Sequence, residues 1–107
     1  MAREKILVVD ADLDSLSRIY LALVHRLFKT EACNNPEEIR ERIKRFKPAV
    51  IVIGVTEYAM LSQKLRIPAI VFSEQSVHFC VQLNYGDIHL KKPIHTGQLI
   101  KAVERLV

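Results

Sequence analysis

The sequence predicts a single α/β domain built on a doubly wound parallel sheet of five strands. Short apolar runs rich in β-branched residues alternate with segments of helical periodicity, five of each within 107 residues. The runs lack polar alternation, which is typical of strands that are buried on both faces of a parallel sheet. Half of the residues are hydrophobic and about a quarter are charged, as expected of a globular domain with one core.

The most apolar run, Val50–Ile53, follows Pro48 and ends at Gly54. An unalternating run of this kind predicts the central, third strand. Ligands of open α/β sheets bind beyond the carboxyl ends of the central strands, so chemistry is expected at position 54. Glycine has no side chain that accepts, donates or coordinates, and its presence there is the most informative feature of the sequence.

The first strand is predicted at Ile6–Val9 and is followed by an amphipathic helix of about four turns. Asp12 or Asp14 is expected to cap this helix, because exposed N–H groups at a helix start favour an acid. The apolar positions of this first helix are Leu13, Leu16, Ile19, Tyr20, Leu23, Val24 and Leu27.

The next segment, Lys29–Cys33, is short and partly polar, which predicts an edge strand.

A second helix is predicted to start at Asn35 and to end before Pro48. Asn35 is expected to cap it, Pro36 suits the first helical position, and Glu38 is placed to reach back as in a capping box. Its buried stripe is predicted to consist of Ile39, Ile43 and Phe46.

After the central strand there is room for only a short third helix before the fourth strand, Pro68–Phe72, which leads into Ser73. A fourth helix is predicted over Val77–Tyr85, and it is apolar almost all round. Phe79 and Leu83 fall on the face opposite to its other apolar residues. One face must pack on the sheet, so we expect the other to be exposed or covered by a partner.

The fifth strand is predicted at Ile88–Leu90, before Lys92-Pro93. Thr96 is expected to cap the final helix. The apolar stripe of that helix contains Leu99, Ile100, Val103 and Leu106.

Several classes of function find no support in the composition. The net charge is only +4, and the basic residues between Lys29 and Lys47 alternate with acids without interleaved aromatics, which predicts a solvated helix face and no direct nucleic-acid binding. Cys33 and Cys80 match no metal-ligand spacing and are expected to be small buried residues. The apolar run near the N-terminus is too short for a signal peptide or a membrane span, so we expect a cytoplasmic protein.

Four features in this order along nearly the whole chain resemble the receiver domain of bacterial two-component response regulators. They are Ile6–Asp10, Lys47-Pro48 before the third strand, Ser73 after the fourth, and Lys92-Pro93 after the fifth. The resemblance implies one flavodoxin-like domain over residues 1–107, with strand order 2-1-3-4-5 and a cis Lys92–Pro93 bond. In receivers a histidine kinase phosphorylates an aspartate at the tip of the third strand, with help from a divalent metal, a lysine and a hydroxyl.

Matched position by position, Asp10 corresponds to the first member of the acidic pair that holds the metal, and Ala11 replaces the second. Ser73 corresponds to the hydroxyl and Lys92 to the lysine. Gly54 stands at the position of the phosphoacceptor. Because an acyl phosphate is a covalent bond to a carboxylate, we expect a degenerate pocket without phosphorylation, catalysis, metal or other cofactor.

Two further expectations concern the charges of this pocket. Thr56 and Glu57 are expected to lie beyond the tip of the third strand, outside the site of the missing acceptor. Lys92 needs a counter-ion once other acids are lost, so we expect it to pair with Asp10, directly or through water.

The expected function is therefore a phosphorylation-independent signalling and protein-interaction module. We expect Phe79, Leu83, His89 and Lys91 to form a surface for a protein partner or a homodimer, where the resemblance places the fourth helix, fifth strand and fifth helix. His89 stands at the aromatic switch position of receivers, three residues before the lysine. The alternative is a small-ligand or anion sensor that uses the degenerate pocket, with the lysine and the serine hydroxyl as anchors.

Overall fold

One parallel sheet of five strands organises the chain. The computed structural model describes residues 3–61, 66–73, 87–92 and 94–107. The strand order is β2-β1-β3-β4-β5, so the predicted fold class and order are confirmed. The strands are Lys5–Val9 (β1), Lys29–Cys33 (β2), Val50–Gly54 (β3), Ala69–Ser73 (β4) and Ile88–Lys91 (β5).

Four helices are described, and they connect or follow the strands. They are Leu13–His25 (α1), Ile39–Phe46 (α2), Val55–Leu61 (α3) and Thr96–Leu106 (α4), with a 3-10 turn at Pro36–Glu38 before α2. The predicted short third helix is α3, which has seven residues and begins directly after β3. The helix predicted over Val77–Tyr85, the cysteine Cys80 and the peptide bond before Pro93 lie outside the described residues.

The core has two layers, one on each face of the sheet. Alternate residues of β1 point to opposite faces, which places Ile6 and Val8 in the layer with α1 and α4, and Leu7 and Val9 in the layer with α2 and α3. β1, β3 and β4 are therefore buried on both faces. This explains why their sequences are continuously apolar, and it leaves the strand ends as the place for polar groups.

α1 is shorter and less buried than its periodicity predicts. Leu16, Ile19 and Leu23 face the core, whereas Leu13, Val24 and Leu27 are exposed. Because Leu27 adopts a left-handed conformation with φ of 70°, the helix ends at His25. The Leu27 N–H donates to the Val24 carbonyl at 2.9 Å, closing the last turn.

The helix caps agree only in part with the sequence. Asp12 caps α1 as predicted, by accepting the Asp14 N–H at 3.1 Å. The prediction that Thr96 caps the last helix is wrong: Thr96 is the first residue of α4, and His95 takes the cap position without a side-chain hydrogen bond.

The start of the second helix departs from a full capping box. Asn35 accepts the Glu37 N–H at 3.0 Å, as predicted for a cap. Glu38 does reach back, but it accepts from the side-chain amide of Asn35 at 3.2 Å. The three residues after the cap form a 3-10 turn, so the α-helix itself begins only at Ile39.

α2 presents the predicted solvated basic face. Arg40, Lys44 and Arg45 are exposed, and Arg42 pairs with Glu31 at 3.2 Å. Cys33, at the end of β2, is buried as predicted. Across the described residues, no helix combines the length and the apolar character that a membrane crossing requires.

The conformation of Leu27 yields the first testable prediction. A non-glycine residue in the left-handed region is strained, and Leu27 is 64% exposed, so its side chain contributes little packing. We expect Leu27→Gly to raise the free energy of unfolding by about 0.5–1 kcal/mol in urea titrations. The matched control is Leu21→Gly in the exposed middle of α1, which should lower it by about 1 kcal/mol. Destabilisation by both variants would contradict the prediction.

Candidate functional site at the carboxyl edge of the sheet

A pocket of about 450 Å³ opens at the carboxyl ends of β1, β3 and β4. The five positions predicted to form the degenerate pocket all line it. With their neighbours, the lining residues are Asp10, Ala11, Asp12, Gly54, Val55, Thr56, Glu57, Phe72, Ser73 and Lys92. The sheet brings these residues together because the carboxyl ends of parallel strands share one edge.

Lys92 and Asp10 form the ion pair that the sequence predicts. Lys92 Nζ lies 3.8 Å from Asp10 Oδ2, and it also donates to Ser15 Oγ at 3.1 Å. The ammonium lies 5.1 Å from the centre of the Phe72 ring, within the range of a cation–π contact. The Lys92 N–H donates to the Ser73 carbonyl at 2.7 Å, which holds this residue close to the end of β4.

Asp10 is only 6% exposed, and its two carboxylate oxygens differ in environment. Oδ1 accepts the Asp12 N–H at 3.0 Å. Oδ2 is buried, and no described residue donates a hydrogen bond to it. Burial raises the pKa of the Asp10 carboxyl, while the Asp12 N–H and the Lys92 charge act in the opposite direction. Asp10 is thus a desolvated carboxylate with one unsatisfied oxygen.

Asp12 also lines the pocket, but its carboxylate belongs to the start of α1. One oxygen accepts the Asp14 N–H at 3.1 Å and the other accepts the Ser15 hydroxyl at 3.2 Å. Both oxygens therefore serve the helix cap, and Asp12 contributes negative charge to the pocket.

Thr56 and Glu57 both line the pocket, so the expectation that they lie outside the site of the missing acceptor is wrong for both. The more buried of the two is Glu57. Its side chain is buried, with 7% of the residue exposed. A methyl group built on Gly54 would collide with Glu57 Oε1, so the carboxylate occupies the space where a side chain at position 54 would begin. This happens because α3 begins at Val55: a residue three positions after the strand end turns back over that end in the first helical turn.

The buried carboxylate of Glu57 is electrostatically coupled to the other pocket charges. Burial raises the pKa of the Glu57 carboxyl, and the negative charge of Asp10 raises it further. A hydrogen bond from its own backbone N–H and the positive charge of Lys92 lower it by a smaller amount. The next residue anchors this turn of α3, because the Tyr58 hydroxyl donates to Asp87 Oδ2 at 2.8 Å.

Among the residues that carry the charges and hydrogen bonds of the site, sequence reasoning missed Glu57 and Ser15. The signal for Glu57 is an acid three residues after a strand-ending glycine, where a helix follows without a loop. The signal for Ser15 is weaker, since a serine one turn into a helix usually serves only the cap. Its hydroxyl both donates to Asp12 and accepts from Lys92, which joins the helix start to the pocket lysine.

His89 connects the pocket to the edge strand. Its Nε2 lies 2.9 Å from Ser73 Oγ, within hydrogen-bond distance. Burial lowers the pKa of the His89 imidazole, which favours the neutral ring. Of the residues predicted to form a partner surface, Lys91 is exposed, whereas His89 is half-buried against the pocket serine. Phe79 and Leu83 lie outside the described residues.

Comparison with known proteins shows a shared fold. No protein-family model and no curated protein matches the chain. Among solved structures, a response regulator from Desulfuromonas acetoxidans has a TM-score of 0.79 at 20% identity, covering 96% of this chain and 95% of that one. A response regulator signal receiver domain from Bermanella marisrubri has a TM-score of 0.76 at 19% identity, with coverage of 95% and 96%.

A receiver domain from Methylobacillus flagellatus gives a TM-score of 0.78 at only 11% identity, covering 99% of this chain and all of that one. The structural neighbours are thus response regulator receiver domains. At these identities the likeness establishes the fold and leaves the chemistry to the residues of the pocket.

The raised pKa of Glu57 yields a prediction about stability and pH. A carboxyl whose folded-state pKa lies above its ordinary value gives its full stability below that ordinary value, and stability falls as the pH rises through the folded-state pKa. The Glu57→Gln variant has no carboxyl group at this position, so it does not lose stability in this way as the pH rises. In metal-free buffer we therefore expect the variant to melt at a higher temperature than wild type at pH 7. The two melting temperatures should converge as the pH approaches 4. The prediction would be contradicted if the variant melted below wild type by the same amount at neutral pH and in acid.

Proposed function

We propose that the chain is a phosphorylation-independent signalling module of the receiver type. Receiver domains are typically non-enzymatic signalling modules, and this chain has their sheet order and overall shape. The observation that carries the proposal is that the Glu57 carboxylate lies over Gly54. The position of the acceptor has no side chain, and another residue already fills the adjacent space.

Glu57 does not simply replace an acceptor aspartate. Its Oε1 lies at the root of the side chain that position 54 would carry, whereas the attacking oxygen of an acceptor stands at the far end of such a side chain. The carboxylate is also buried. In-line attack on a phosphodonor requires an exposed and aligned oxygen, so this placement supports a pocket that is not phosphorylated.

The pocket charges also bear on the alternative of an anion sensor. Among the described residues, three carboxylates, those of Asp10, Asp12 and Glu57, line the pocket together with one ammonium, that of Lys92. Ser73, the second proposed anchor, is within hydrogen-bond distance of His89. An excess of negative charge repels an anion at these distances, so the observations favour the signalling module over an anion site.

We propose further that output passes through a protein partner or a second copy of the chain, with no direct nucleic-acid contact by this domain. The predicted surface consists of Phe79, Leu83, His89 and Lys91. The Ser73–His89 contact supports it, because it joins a pocket hydroxyl to the strand that carries Lys91. The participation of Phe79 and Leu83 rests on the apolar pattern of their sequence.

Phosphorylation is tested by incubating the protein with a small acyl phosphate and magnesium and then measuring its intact mass. We expect wild type to gain no phosphoryl group, because none of the described residues places an exposed carboxylate at the tip of β3. The matched control carries Ala11→Asp, Gly54→Asp and Glu57→Ala, which restores the receiver carboxylates and removes the clash. We expect this control to gain one phosphoryl group. A gain in wild type would contradict the proposal, and its loss in Glu57→Gln would identify the acceptor.

The partner surface is tested first for self-association. If the surface forms a homodimer, sedimentation velocity should show wild type as a dimer and the Phe79→Arg, Leu83→Arg variant as a monomer, because a buried guanidinium without a partner is costly. Met60→Arg, which changes an exposed apolar residue of α3, is the matched control and should behave as wild type. A variant that dimerises as well as wild type would remove this surface as the dimer interface. Monomeric wild type would rule out the homodimer.

A further inference from the structure

We propose that the edge of the sheet opposite to the pocket binds the surface of an anionic lipid bilayer. The inference goes beyond the proposed function, because it concerns residues that belong neither to the pocket nor to the predicted partner surface. The face in question is the amino-edge patch. It consists of exposed residues, one apolar and the others basic: Leu27, Lys5, Arg26, Lys29, Lys44 and Lys47.

The topology of the sheet brings these residues to one edge. Parallel strands all begin at the same edge, and the helices that return to them end there. Lys5 and Lys29 are the first residues of β1 and β2, and they stand in register with each other. Arg26 caps the end of α1, and Lys47 caps the end of α2. Basic side chains from four elements therefore share one edge, at the other end of the strands from the pocket.

The positive charges of the patch lack counter-charges from the protein. No described residue forms an ion pair with Lys5, Lys29 or Lys47. Lys5 and Lys29 are adjacent across two paired strands, and like charges in such a position destabilise a sheet. Helix dipoles favour basic residues at helix ends, which explains Arg26 and Lys47 but does not by itself explain two adjacent lysines at strand starts. An anionic partner would relieve this repulsion.

The acids near this edge do not neutralise the patch. Glu104 pairs with Arg3 at 2.9 Å. The carboxylate of Asp87 accepts two hydrogen bonds from neighbouring groups of the chain. Glu4 is exposed and offsets one positive charge. The patch therefore keeps a net positive charge.

Leu27 adds an apolar side chain to the patch. It follows Arg26, lies two residues before Lys29 and is 64% exposed. Its backbone is left-handed, with φ of 70°, and its carbonyl accepts the Arg3 N–H at 2.8 Å. The turn thus keeps a large apolar side chain in solvent at the cost of backbone strain, a combination that points to function. Aliphatic side chains beside cations are typical of surfaces that enter the headgroup region of a membrane.

The composition of the patch favours a bilayer over other anionic macromolecules. Most of its cations are lysines, which are depleted in protein–protein interfaces and are attracted to anionic headgroups without a fixed geometry. The neighbouring rings of Phe28 and Phe46 are buried, so they cannot stack on the bases of a nucleic acid. Binding at this edge would leave the pocket facing away from the bilayer.

The test is co-sedimentation of the purified protein with vesicles of phosphatidylcholine alone and of phosphatidylcholine mixed equally with phosphatidylglycerol. We expect binding to the mixed vesicles only, and release when the salt concentration is raised. The double variant Lys5→Gln, Lys29→Gln should lower the partition coefficient about thirtyfold, since each basic residue near an anionic surface contributes about fivefold. The matched control, Arg18→Gln, Lys101→Gln, removes the same charge from exposed positions within α1 and α4 and should bind as wild type.

The contribution of the apolar side chain is tested with a second matched pair. Leu27→Ala should lower the partition coefficient about tenfold, because a leucine side chain that enters the headgroup region leaves water. Leu13→Ala shortens a similarly exposed leucine at the opposite edge and should bind as wild type. Melting curves without vesicles should show that all four variants are folded, so that a loss of binding is a property of the surface.

The inference would be overturned if wild type did not bind the mixed vesicles, or if wild type and the Lys5→Gln, Lys29→Gln variant bound them equally. Binding to double-stranded DNA or to poly-glutamate in place of the vesicles would overturn it as well. None of these measurements involves a phosphodonor, so the intact-mass test of the proposed function is unaffected by their outcome.

Discussion

A side chain at position 54 and the carboxylate of Glu57 cannot occupy the same space. β3 ends at Gly54, and α3 begins at the next residue, so the first helical turn folds Glu57 back over the strand end. The glycine is therefore more than the loss of a reactive group. It leaves room for a second acid, Glu57, in the pocket. The charge of Asp10 then raises the pKa of the Glu57 carboxyl, and the charge of Lys92 lowers it.

The charged groups that line the pocket are not balanced in number. In the part of the chain that the structure describes, three carboxylates face one ammonium, and the ammonium of Lys92 is shared between Asp10, Ser15 and the Phe72 ring. Desolvation raises the pKa of both Asp10 and Glu57, because neither gains enough positive charge to offset its removal from water. Such an arrangement does not suit an incoming phosphate. This agrees with the proposal that the pocket is not phosphorylated.

The sequence predicted the framework well because the framework depends on burial. Continuous apolar runs identify doubly buried strands, and their order along the chain, with the match to receivers, gave the sheet order that is observed. The places of Asp10, Ser73 and Lys92 in the pocket could be predicted because each residue stands at or just after the end of a strand. Glu57 could not be placed in this way, since its position depends on the number of residues between strand and helix, and here α3 begins directly after β3. Leu27 was assigned to α1 by periodicity, whereas a left-handed turn ends the helix before it.

The burial of Glu57 also argues against a pocket that has merely decayed. A carboxylate that is 7% exposed, beside a second desolvated carboxylate, lowers the stability of the folded chain at neutral pH. A glutamine or an alanine at this place in α3 would avoid that loss and keep the helix. Costly charged groups persist mainly at sites that use their charge. The Ser73–His89 contact starts in the same pocket and reaches the edge strand, so a change of charge around Lys92 has a physical path to β5. The pocket thus holds a buried acid beside the end of β3, although position 54 itself has no side chain.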